Sequence, residues 1–180
     1  MTWEEAMFAV FDDLEQQAQG LHLLERDAEV ADLTAAEYAG VDLASRLHAS
    51  FDLDLQVRLL GGRVVSGRLV RTGDDWFLLA DPRAEWVVRY AAVASIDGLS
   101  PRADNQDTWS VADRLSLRSV LRRLSAAGES CAVHFTDERQ VEGRIGRVGG
   151  DFFELHRGEG AGQGAQVVPT GAVAALQERP

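Results

Sequence analysis

The 180 residues carry 18 basic side chains against 29 acidic ones, a net charge of −11, and 46% of them are apolar. That is enough apolar material for one sizeable core or two small ones, and no run of 18 or more apolar residues is present to span a membrane. The opening MTWEEAMFAV is acidic where a secretory signal would be basic, and the single Cys131 excludes an internal disulfide framework. Together these features predict a cytoplasmic protein.

The excess charge is local. Residues 1–54 hold 13 Asp/Glu against two Arg, whereas residues 55–180 hold 16 of each sign. Phosphate contacts supply most non-specific nucleic-acid affinity, so this balance disfavours tight binding to RNA or DNA. Every basic residue is Arg, beside abundant Ala, Gly and Val, a bias that suggests a GC-rich bacterial coding sequence.

In chain order, Thr2 and Glu5 form a capping box, and apolar residues then recur at Trp3, Met7, Val10, Leu14, Leu21 and Leu24. This spacing predicts an amphipathic helix to about Val30. A second capping box, Thr34 with Glu37, opens a helix through Tyr38, Val41 and Leu47 to about Ser50. The two helices would form an acidic hairpin over residues 1–52. Its apolar stripe either packs on the chain's own body or, at its heptad-like spacing, forms an oligomer seam.

Strand signals begin at Leu55. Val57 and Leu59, then Val65 and Leu69, alternate with polar neighbours across a Gly61-Gly62 turn. Trp76 to Ala80, Trp86 to Arg89 and Val93 to Ile96 complete five short strands. The segment from Val57 to Leu79 is then written again, 76 positions later, from Val133 to Leu155. Arg63/Arg139, Gly67/Gly143, Arg71/Arg147, Gly73/Gly149, Asp75/Asp151 and Phe77/Phe153 all match without a gap, the mark of a duplicated supersecondary unit. Between the copies lie a polar linker with Pro101 and a helix from Ser110 or Ser116 through Leu117, Leu121 and Leu124 to about Gly128.

A hydrophobic strand, a Gly61-Gly62-Arg63 turn, then Val65, Gly67 and Leu69, followed later by Val87 to Ile96, resembles the two motifs of the Sm-like family of small RNA-associated barrels. The resemblance covers about 55–97 and, more weakly, 131–177. It implies an α+β fold: an N-terminal helical hairpin (1–52), a first five-stranded Sm-like barrel (53–99), a linker with an inter-barrel helix (100–129) and a second barrel (130–180). It also implies assembly through edge strands, so a homodimer is expected first and a pseudo-hexameric trimer second. The family's base-reading Asn falls near Trp76 or Phe77, its stacking aromatic near Thr72, and its Arg-Gly becomes Arg89-Tyr90. In the second copy the Arg position is Pro169, which removes a cation and a backbone donor.

The candidate contacts are therefore few. Arg89 with Tyr90 is a fragment of a nucleic-acid site, or else a surface Arg and a packed Tyr. Arg114, Arg118 and Arg122, with Arg123, make a stripe on the inter-barrel helix that would meet phosphates, pair with the acidic helices, or be solvated. Trp76 and Trp86 are expected to be partly exposed and to anchor a protein partner. No catalytic residues emerge: Cys131 has no His or acid partner by spacing, and Asp75 and Asp151 suit turn capping. His22, His48, His134 and His156 lack metal-ligand spacing, and Gly158 to Gly164 lacks the ending of a phosphate loop. Neither cofactor nor metal is expected. The sequence thus predicts a non-enzymatic scaffold engaging protein partners, with an RNA- or DNA-binding regulator as the alternative.

Overall fold

In a computed structural model, residues 35–36, 38–158 and 164–178 are described. The first helix of the expected hairpin lies outside them. Residues up to Val41 belong to one unit, in which the Val41 N–H donates to the Tyr38 carbonyl at 3.0 Å; residues from Asp42 onward form a second. The second unit starts with helix α1 (Leu43–His48), whose first turn is capped by the Asp42 carboxylate accepting from Ser45 N–H at 2.7 Å. The Asp42 backbone is extended, so the expected helix from Thr34 to Ser50 is interrupted there.

Ten strands follow: β1 (Asp54–Leu59), β2 (Val64–Thr72), β3 (Trp76–Asp81), β4 (Ala84–Arg89), β5 (Val93–Asp97), β6 (Ser130–Phe135), β7 (Gln140–Val148), β8 (Phe152–His156), β9 (Gln166–Pro169) and β10 (Val173–Glu178). They form one antiparallel sheet in the order β5-β1-β2-β3-β4-β10-β6-β7-β8-β9. The expectation of a hairpin followed by two separate barrels is therefore wrong. Among the described residues from Asp42 onward there are two α-helices and no helical hairpin, and β4 is laddered directly to β10, from Val88↔Ala175 to Glu85↔Glu178.

The physical reason lies in β3, β4 and β10, which are apolar on both faces. Phe77, Leu79 and Val88 point into a first core cluster with Val57, Leu69 and Ala175. Trp76 points the opposite way, into a second cluster with Leu121, Val133, Phe153 and Leu176, against which Leu78 and Val87 also pack. An open edge between two apolar layers would leave backbone N–H and C=O groups poorly satisfied and available to another strand. Pairing β4 with β10 satisfies those groups. Each large aliphatic or Phe side chain so buried contributes about 1.5–3 kcal/mol.

Each half keeps the same internal order, with its last strand returning beside its first. Gly67 and Gly143 occupy matching places where a strand passes close to its neighbour. A Cβ on Gly67 would lie 2.8 Å from the Ala80 carbonyl oxygen, and one on Gly143 2.5 Å from that of His156.

Helix α2 (Leu117–Ala127) covers the second cluster through Leu117 and Leu121. Ser116 is its N-cap residue but its side chain makes no cap bond; the Asp75 carboxylate accepts from Leu117 N–H instead, at 2.6 Å. Thus the duplicated Asp fixes the helix to the β2–β3 turn. Gly128, at φ 69°, ends the helix in the left-handed conformation.

Candidate functional site

The aromatic and basic residues of β3 and β4 turn inward. Arg89 closes β4, and its Nη1 donates to the carbonyls of Thr170, Gly171 and Val173 at 2.9, 2.9 and 3.0 Å. The guanidinium thus clamps the 3-10 turn (Thr170–Ala172) that leads into β10. The Tyr90 hydroxyl donates to the Gly73 carbonyl at 3.0 Å, and its ring stacks on Phe77 with centroids 5.6 Å apart. Burial, helped by the carboxylates of Asp42 and Asp75, pushes this phenol well above its ordinary pKa.

Trp76, expected to be partly exposed, is 4% exposed, and its indole N–H donates to the Leu115 carbonyl at 2.8 Å. Trp86 is half-buried and lies against His134, ring centroids 5.0 Å apart. The Arg stripe divides. Arg114 sits in a 3-10 turn before α2 and donates to the Gln106 carbonyl at 3.2 Å. Arg118, Arg122 and Arg123 are exposed on α2 with neither hydrogen bond nor ion pair among the described residues.

Two of the singled-out residues, Trp76 and Arg123, meet at a groove between α2 and the sheet, about 570 Å³ in volume. Leu78, Val87, Leu176 and Cys131 are on its sheet side, and Val120 and Leu124 on its helix side. Strand register sets its ends. Arg71 stands opposite Leu78, Leu78 opposite Val87, and Val87 opposite Leu176. Two residues along, Glu85 faces Glu178 across the β4–β10 ladder, and Glu178 faces Cys131. Arg71 therefore lies toward one end and Glu85 and Glu178, with Glu129 beside them, at the other; Arg123 lines the helix side.

The acidic end is electrostatically unfavourable as it stands, since like charges directly opposite in a sheet repel. Burial raises the Glu178 pKa above its ordinary value, reinforced by a hydrogen bond with Glu129 and by the charges of Glu85 and Glu129. Burial also lifts the Cys131 thiol to about 11, with Glu178 adding to the effect. A thiol so suppressed is a poor nucleophile at neutral pH.

Sequence reasoning missed Arg71 and the three glutamates as a group. One signal was available in the repeat. Arg147 is held by Glu154 at 2.6 Å, whereas 76 positions earlier Arg71 keeps its place and Glu154 is matched by Leu78. That exchange makes the groove floor apolar and leaves Arg71 with no ion pair among the described residues. The glutamates gave no such signal, because they meet only through the β4–β10 register and the helix end.

Among the described residues no cluster of His, Cys, Asp or Glu is arranged to hold a metal ion. None of their helices is long and apolar enough to cross a membrane. Neither protein-family models nor curated protein sequences match this chain.

Proposed function

We propose that this protein is a non-enzymatic binding and scaffold module of the cytoplasm that engages a protein partner and works as a homodimer. The observation that carries the reading is the groove under α2, an apolar floor with charged ends. Such a surface suits a partner with both apolar and charged groups. The side chains that would have read a nucleic acid support the same view. Arg89, Tyr90 and Trp76 spend their donors on the chain's own carbonyls.

Self-association is supported by the two sheet edges, β5 and β9, because an open edge is a template for another strand. On β9, Val167 is 60% exposed. The alternative mass is that of three chains.

A second reading, an RNA- or DNA-binding regulator, is favoured by Arg118, Arg122 and Arg123, exposed within two turns of one helix and without ion partners among the described residues. Light scattering at increasing protein concentration, beside a salt series of labelled single-stranded oligonucleotides, tests both. A two-chain mass with no oligonucleotide binding at low salt supports the scaffold. Binding with a steep salt slope, lost in Arg118→Glu/Arg122→Glu, moves the function to the regulator.

A further inference from the structure

We propose that the groove under α2 binds a short extended peptide segment with a Lys or Arg at one end, an Asp or Glu at the other, and apolar side chains between them. The inference rests on the scaffold reading and names its partner chemistry.

Length is the first argument. Arg71 on β2 and Glu178 on β10 are separated by three inter-strand steps of about 4.8 Å and by two residues, about 7 Å, along the strands, so about 16 Å in all. Five extended residues span four steps of about 3.4 Å, about 14 Å, and the long charged side chains at the two ends cover the remainder. A segment lying obliquely across the strands therefore brings its charged ends to groups of opposite charge. The volume, about 570 Å³, lies within the range of concave ligand sites.

Charge is the second. Glu85 and Glu178 stand directly opposite each other, with Glu129 lining the same groove, a like-charge cluster that a cation placed among them would relieve. At the far end Arg71 has no ion partner among the described residues, so its guanidinium can donate to a carboxylate. The floor is the third. The counterpart of Leu78 in the other half is Glu154, which neutralises Arg147, so the two halves of the sheet have diverged at the position that decides whether this Arg is free. The equivalent of Cys131 is Leu55, inside the first core; Cys131 is buried in the second core and also lines the groove.

The test is fluorescence anisotropy on the full chain with a labelled peptide carrying Arg-Leu-Val-Leu-Glu, and with Gln-Leu-Val-Leu-Gln as its neutral analogue. The charged peptide is expected to bind more tightly. Glu85→Gln/Glu178→Gln and, separately, Arg71→Gln should each weaken it by about fivefold or more, and Ala127→Trp, at an exposed lining position, should abolish binding with the melting temperature unchanged. Equal binding of both peptides, or charged-peptide binding indifferent to these variants, overturns the inference while leaving a protein-binding module intact. Failure of both peptides, with no oligonucleotide bound either, also overturns it alone. Failure of both with steep salt-dependent oligonucleotide binding removes the scaffold reading as well. A changed oligomeric mass in Ala127→Trp makes the groove an interface between copies and overturns it too.

Discussion

Arg89 and Thr170 are 81 residues apart in the chain, yet Nη1 of the first donates to the carbonyl of the second at 2.9 Å. One guanidinium fastens the end of β4 to the turn that launches β10, and so braces the ladder on which the ten-stranded sheet depends. Hydrogen bonds from a charged donor contribute about 1.5–3 kcal/mol. Arg89→Ala should therefore lower unfolding stability by about 2 kcal/mol in urea titrations and leave oligonucleotide binding as it is in the parent chain. A stable variant that had lost nucleic-acid binding would reverse the assignment.

Gly67→Ala and Gly143→Ala should each cost about 2 kcal/mol, the scale of an overpacked site, because the new methyl meets a backbone oxygen that cannot swing aside. Gly150 provides the control. A Cβ there meets nothing within 4 Å, so Gly150→Ala should stay within about 0.5 kcal/mol. Three melting curves decide the point, and equal effects at Gly67 and Gly150 would contradict the close approach.

His134 gives the stability a pH dependence of known sign. Burial lowers its pKa below the ordinary 6.5, the Arg63 charge adds to the lowering, and the hydrogen bond to Gln177 opposes it. Below pH 6.5 the unfolded chain takes up a proton that the folded chain resists. This contribution is thus present above pH 6.5 and lost as the pH falls below it. Glu178, with a raised pKa, contributes in the opposite sense, favouring the fold as pH drops toward 4.5. Urea titrations at pH 7.5 and 5.5 should show a smaller acid loss in His134→Gln than in the parent chain. An unchanged difference would show that the histidine does not carry it.

Cys131 should resist modification. Its thiol rises from 9.0 to about 11, so at pH 8 its thiolate fraction is roughly a hundredfold below that of an unperturbed thiol. Reaction with a thiol-specific disulfide reagent should be at least that much slower in the native protein than in urea. Equal rates would place the sulfur in solvent.

The repeat, the strand segments and α2 were legible in the sequence, because period-two alternation and the paired glycines at Gly67 and Gly143 are local signals. The β4–β10 pairing was not, since alternation says which residues share a face and nothing about which strand lies alongside. A clue was nevertheless present. Trp76-Phe77-Leu78-Leu79 and Val173-Ala174-Ala175-Leu176 are continuous apolar runs, the pattern of strands buried on both faces, and such strands do not belong to isolated barrels with one wet side. Trp76 is expected from the sequence to be partly exposed and to anchor a partner, but its indole N–H reaches the Leu115 carbonyl, a contact 39 residues away that no window could reveal. The groove's ends depend on the same long-range register.

Cross-strand nuclear Overhauser effects between the backbone protons of β4 and β10 test the continuous sheet most directly. The register calls for close Val88–Ala175 and Val87–Leu176 contacts, with the amides of both strands exchanging as slowly as those of β3 and β6. Absence of those contacts, with rapid exchange along β4, would mean that the halves fold apart and that the groove spanning their junction does not exist.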